Sequence, residues 1–267
     1  MRKIVMLTIL AAVVLQGFAE DLVLEELSGR TEAKEYHATD GGVFRYRWSE
    51  PKAPEVGRTY PLVILMHGAG ERGTNNVCQL QWGAKQILDF LDERKEGYFF
   101  VAGQVPDGIR WVEVDWGLLA HKIPNRPSET MARQIEFLEK LFAERTEIDR
   151  SRVYVTGLSM GGFGTWDILC RRPDWFAAAM PICGGCDVSQ AWKLRNIPVW
   201  IHHGDKDTVV PTVRSRSMTA ALWACEGNVK YTEHLNRGHD SWLSAYGKRE
   251  FLEWLFSQRK DRVGEFK

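Results

Sequence analysis

The sequence predicts an α/β domain, a mostly parallel central sheet with helices packed on both of its faces. Three observations predict it. Apolar runs too short for helices, such as Tyr60 to Met66 and Val153 to Thr156, are followed by longer stretches of helical periodicity. This alternation recurs along most of the chain, and strands alternating with helices form a parallel sheet covered on both sides. Finally, 267 residues with 44% hydrophobic and 26% charged content can bury one large core, at a size common for a single α/β domain.

Arg2 and Lys3 precede an apolar run from Ile4 to Leu15, and Gln16-Gly17-Phe18-Ala19 supplies the small residues that a signal peptidase requires. Residues 1–19 are therefore expected to be a signal peptide, and residues 20–267 one domain of a secreted or periplasmic protein. The run is short of the roughly 20 apolar residues that span a bilayer, so no stable membrane anchor is expected after cleavage. From Asp21 to Thr59 the alternating segments Glu35 to Thr39 and Val43 to Trp48, joined by Asp40-Gly41-Gly42, read as a hairpin.

Tyr60 to Met66, bounded by Pro61 and Gly68, should be a central buried strand. A helix is expected over Val77 to Arg94, a strand over Tyr98 to Val105, and an amphipathic helix over Ser128 to Arg145 with Ser128 as N-cap. Strand Val153 to Thr156, helix Gly161 to Arg171, and strands Phe176 to Ile182 and Val199 to His203 come next. Helix Thr212 to Glu226, strand Val229 to Leu235 and helix Leu243 to Arg259 complete the pattern. The longest irregular piece, Pro106 to Pro127, has the length of a functional or mobile excursion.

Active residues of such a fold lie beyond the carboxyl ends of the strands. Gly157-Leu158-Ser159-Met160-Gly161 fits G-x-S-x-G, in which a strained strand-to-helix turn pushes a serine out above the sheet. A serine hydroxyl is a poor nucleophile without a base in contact and a third group holding that base in one tautomer. Asp207 follows strand Val199 to His203, and His239 follows the last strand with Gly238 before it. Ser159 is therefore the candidate nucleophile, His239 the base and Asp207 the orienting acid. Asp205 is the rival acid, but it lies closer to the strand, where bonding loop N–H groups is its expected role. His202, His203 and His67 are expected to be structural.

Ala69, flanked by Gly68 and Gly70, and Met160, next after the nucleophile, are the candidate oxyanion-hole N–H donors, with Gly70 next in line. Glu71 and Arg72 are expected to pin that loop as a salt bridge. Trp111, Trp116 and Trp242 are the aromatic residues expected at the mouth, where ring faces could stack on a sugar or phenolic group. The five cysteines are an odd number. Cys183 and Cys186 have a C-x-x-C spacing that export would permit to bridge, or they are buried free thiols.

The stretches H-G-A-G-E-R-G, W-V-E-V-D-W, G-L-S-M-G-G-F-G-T-W-D, P-I-C-G-G, P-V-W-I-H-H-G-D-K-D-T-V-V-P and G-H-D-S-W occur in this order. Together they resemble the secreted predicted-peptidase or esterase branch of the α/β-hydrolases, a group similar to dienelactone-hydrolase-like, prolyl-oligopeptidase-like and feruloyl or acetyl-xylan esterase proteins. The resemblance implies an α/β-hydrolase fold and the triad Ser159, Asp207 and His239. The dienelactone hydrolases proper use cysteine, and Ser159 sets this chain apart from them.

The function expected is a secreted serine esterase acting on acyl groups of carbohydrate or small aromatic esters, with no metal and no cofactor. Two other readings use the same residues, a serine peptidase of the prolyl-oligopeptidase type and a non-catalytic binding protein on the same fold. Such peptidases often carry a propeller gate for which this chain has no room, and a binding protein would commonly have lost a triad member. With 35 basic and 35 acidic residues the net charge is zero, so no nucleic-acid partner is expected.

Overall fold

The computed structural model describes residues 21–260. The expected signal peptide lies outside the described residues. Residues 21–30 are helical (α1), an element not assigned from the sequence. Leu27 of α1 is fully buried, and Arg30 pairs with Asp89 and Asp92.

Strands β1 (Glu32–His37) and β2 (Val43–Ser49) form the expected hairpin. Then come β3 (Tyr60–Met66), α2 (Ala84–Arg94), β4 (Phe99–Gln104), α3 (Glu129–Glu144), β5 (Ile148–Leu158) and α4 (Met160–Arg171). The chain continues through β6 (Ala178–Ile182), the short α5 (Ala191–Leu194), β7 (Val199–Gly204), α6 (Val213–Ala224), β8 (Val229–His234), α7 (Ser241–Gly247) and α8 (Arg249–Ser257).

The eight strands form one sheet in the order β1-β2-β4-β3-β5-β6-β7-β8. Pairing is antiparallel at β1–β2 and β2–β4 and parallel from β4 to β8. Successive side chains of a strand point to opposite faces, and β3 shows the result. Leu62, Ile64 and Met66 join a core shared with α3, α4 and α6, whereas Val63 and Leu65 join one shared with α1, α2, α7 and α8. The central strand is thus buried on both sides, as a continuous apolar run requires.

Two expected helices are broken, each for a backbone reason. Over Val77 to Arg94 only a 3-10 turn, Cys78–Leu80, precedes α2, because Gly83 has φ +82 and a Cβ there would lie 2.6 Å from the ring of Tyr246. The last helix is two, since Lys248 is extended at φ −102 and ψ 115. The N-cap of α3 is as expected, with Ser128 Oγ accepting the N–H of Met131 at 3.2 Å.

The excursion from Pro106 to Pro127 is ordered by buried polar anchors. Arg214 of α6, 2% exposed, donates to the carbonyls of Leu118 and Asp115 and to Nδ1 of His121. Asp187 accepts the N–H of Ile123 at 3.0 Å.

Candidate active site

β3 and β5 are neighbours with Met66 paired to Gly157, so the turns that leave them emerge side by side at one sheet edge. They touch through Gly161, where a Cβ would fall 1.9 Å from the carbonyl oxygen of Met66. The glycine of the motif is needed for this approach. Ser159 sits in the bend between β5 and α4 at φ 53 and ψ −119, a conformation that costs free energy and persists only where surrounding packing holds it. Its N–H donates to the carbonyl of Ile182 at 2.9 Å, tying the bend to β6.

Ser159 Oγ lies 2.7 Å from Nε2 of His239, and Nδ1 of His239 lies 2.7 Å from Oδ2 of Asp207. These three residues, each beyond a different strand, are brought together as expected. Burial pushes the Asp207 carboxyl up, but hydrogen bonds from His203 and His239 and from the N–H of Val210 outweigh it and hold the group well below the usual carboxylate range. An ionised Asp207 accepts from Nδ1–H, which leaves Nε2 bare to accept from the serine hydroxyl. The arrangement can therefore take a proton from Ser159 as its oxygen attacks a carbonyl carbon. Asp205 does what its position implied, accepting the N–H of Arg237 at 3.1 Å and fixing the loop that carries His239.

Met160 opens α4, so its N–H belongs to the helix turn that has no acceptor within the helix. Ala69 opens a 3-10 turn, Ala69–Glu71, directly beyond β3. The expected Glu71–Arg72 salt bridge is not among the ion pairs of the described residues. Arg72 Nε instead donates to the carbonyl of Ala69 at 2.9 Å, and Glu71 is buried, with desolvation pushing its carboxyl up. The loop is pinned, but by a carbonyl and not by a charge pair.

His67 is structural, as expected. Its Nδ1–H donates to the carbonyl of Gly68 at 2.6 Å and its Nε2 accepts the N–H of Val105 at 2.9 Å. Burial pulls its pKa down to about 4. His202 and His203 are both fully buried in β7. His121 is also partly buried, and burial with the nearby Arg214 charge lowers it to about 4.

The tryptophans divide. Trp111 corrects the expectation of a substrate contact, being 0% exposed, with its indole N–H donating to the carbonyl of His67 at 3.1 Å. It is the floor under the loop. Trp116 is partly buried, with the Arg110 guanidinium 4.4 Å from its ring centroid. Trp242 stands edge-on to the His239 imidazole, centroids 5.5 Å apart at 84°. Sequence reasoning missed Trp82, which meets Trp242 at 6.3 Å. Its signal was its place on the chain just beyond the Gly68–Gly73 loop, which leads away from β3.

The five cysteines are free. Cys186 lies beside Cys170, Sγ atoms 3.8 Å apart, and not beside Cys183 as a C-x-x-C bridge would need. Cys183 is buried with its sulfur within 4.8 Å of the Asp207 and His239 ligand atoms. Burial pushes that thiol far up, so it stays protonated and a poor metal ligand, while Asp207 and His239 are engaged with each other.

Residues 53–250 match the phospholipase/carboxylesterase family. A solved thermostable esterase is 35% identical, has a TM-score of 0.80 and covers 90% of this chain, which spans 64% of that one. Cutinase 2 of Thermobifida cellulosilytica is 25% identical over 195 residues, which are 72% of this chain and 65% of the cutinase. A ferulic acid esterase, 19% identical with a TM-score of 0.62 over 85% of this chain and 98% of its own, shares the fold. The chain spans about half to two thirds of the length of the curated relatives it matches first. With a match over most of its length, an eight-stranded sheet of this order and a serine at the elbow, the chain belongs to the phospholipase/carboxylesterase family of the α/β-hydrolase superfamily.

Proposed function

We propose that the protein is an exported serine carboxylesterase that cleaves small esters, either acyl groups on carbohydrate or small aromatic esters, through an acyl-enzyme. The observation that carries this reading is the unbroken chain from Ser159 Oγ to His239 Nε2 and from His239 Nδ1 to Asp207, at 2.7 Å each. Ser159 attacks the ester carbonyl while His239 takes its proton. The N–H groups of Ala69 and Met160 receive the charge that develops on the carbonyl oxygen, a contribution of about 3 kcal/mol per donor in hydrolases of known mechanism. His239 returns the proton to the departing alcohol, and water, deprotonated by the same imidazole, releases the acid. Support for an ester over an amide comes from the esterase and cutinase names of the relatives.

Export as a secreted or periplasmic protein is part of the same proposal. It rests on the apolar leader, and no helix among the described residues is long and apolar enough to cross a membrane. The test of the chemistry is the Ser159→Ala protein, assayed on p-nitrophenyl acetate and labelled with a fluorophosphonate. Hydrolysis should fall by about 10⁴-fold or more and labelling should vanish. Retained turnover would remove Ser159 from the mechanism.

A further inference from the structure

The triad and the loop beyond β3 each end in a tryptophan, and the two tryptophans share a cavity. Trp242, three residues past His239, stands edge-on to the imidazole. Trp82 lies close to the buried carboxyl of Glu71, the residue that closes the Ala69–Glu71 turn. The indoles meet at 53° and form a bent wall. They line a cavity of about 260 Å³ with Gly83 and Tyr246, and with Val23 and Leu24 of α1. Gly83 packs directly on the Tyr246 ring, where a Cβ would fall 2.6 Å from it.

Size and chemistry narrow the occupant. An apolar cavity of about 150 Å³ already holds a benzene, so this one has room for a single ring with small substituents. Indole faces favour a second aromatic ring in offset or edge contact. Glu26 and Asp89 hold Lys85 at the rim, away from a free charge that would draw an anion.

We propose that this cavity is a subsite for one substituted aromatic ring of the ester, placed against Trp82 and Trp242 while the ester carbonyl reaches Ser159. The inference rests on the esterase reading of that serine. The same ring could belong to the acyl part or to the alcohol, and two substrates separate these sources: methyl cinnamate carries it in the acyl group and benzyl acetate in the alcohol.

The experiment uses the full chain with Ser159→Ala, and calorimetric titration with methyl cinnamate, benzyl acetate and the ringless methyl butyrate. Trp82→Ala added to that background should weaken the ring-bearing ester about tenfold and leave methyl butyrate within twofold. Val23→Trp fills the cavity from the opposite wall, on a partly exposed helix, and should block the same ester if Trp82→Ala fails to fold. Whichever of the two aromatic esters responds assigns the ring to its side. Loss of neither, or equal loss of all three esters, overturns the subsite. Residual hydrolysis by the Ser159→Ala protein would instead count against the triad, and the binding result would stand by itself.

Discussion

Oδ2 of Asp207 lies 2.7 Å from Nδ1 of His239, while Oδ1 of the same carboxylate accepts the N–H groups of Val209 and Val210 at 2.9 Å each. The carboxylate is thus fixed by its own loop before it meets the imidazole. Replacing it with an amide keeps the shape but offers Nδ1 a donor, which favours the tautomer with a proton on Nε2. Asp207→Asn should lower kcat by on the order of 10³ to 10⁴ with little change in KM. Asp205→Ala removes one loop hydrogen bond, that from the N–H of Arg237, worth about 1 kcal/mol, and should cost no more than about tenfold. Steady-state kinetics on p-nitrophenyl acetate separate the two, and equal losses would reverse the assignment of the acid.

The pH dependence of stability follows from His67. Its pKa falls from the ordinary histidine value to about 4 because it is buried and its Nε2 must stay bare to accept from Val105. Between about pH 6.5 and 4 the unfolded chain therefore binds a proton that the folded chain refuses. Stability is full above about 6.5 and is lost as pH falls, by about 2 kcal/mol at pH 5 from this residue alone. The buried His202 shifts in the same direction. Urea unfolding at about pH 7.5 and 5 measures the slope, and His67→Asn should flatten it; an unchanged slope would show that His67 takes up its proton in the folded state.

Gly161 and Gly70 flank the two turns of the site but differ in what surrounds them. A Cβ at Gly161 would sit 1.9 Å from the carbonyl oxygen of Met66 and 2.7 Å from that of His67, both rigid backbone, whereas one at Gly70 meets nothing within 4 Å. Gly161→Ala should destabilise the protein by at least about 3 kcal/mol or prevent folding. Gly70→Ala should stay within about 0.5 kcal/mol. Thermal unfolding of both proteins checks the contrast, and similar melting temperatures would mean that β3 and α4 can part without cost.

What the sequence made legible, and what it hid, divides along the range of the interactions. Ser159, Asp207 and His239 were readable because each stands just past an apolar run, beside residues with turn chemistry, and the sheet does the rest. Strand β3 was readable for the same local reason. The misread helices failed where a single backbone angle overrides periodicity, as at Gly83 and Lys248. Trp111 was misplaced, and Trp82 passed over, because only the fold decides which indole lies beneath the loop and which beside it. Arg214 was invisible for a stronger reason, since its partners lie 93 to 99 residues away along the chain.

Arg214 also yields the last prediction. Its guanidinium is held within the protein by two carbonyls, the His121 ring nitrogen and the face of Phe163, 5.1 Å from the ring centroid. Phe163 lies one helical turn past Ser159, and its N–H donates to the serine's carbonyl at 3.1 Å. The excursion and the nucleophile therefore share a support. Arg214→Met retains the apolar stem but leaves buried acceptors without a donor, at about 1 to 3 kcal/mol for each that stays dry. The excursion has no secondary structure of its own to fall back on, so the loss should appear there first, as faster proteolytic cleavage near Leu118 and Leu119, both exposed. Cleavage sites mapped by mass spectrometry test this. If Arg214→Met is cut no faster than the parent protein between residues 110 and 125, the loop is held by Asp187 and the Trp111 anchor alone.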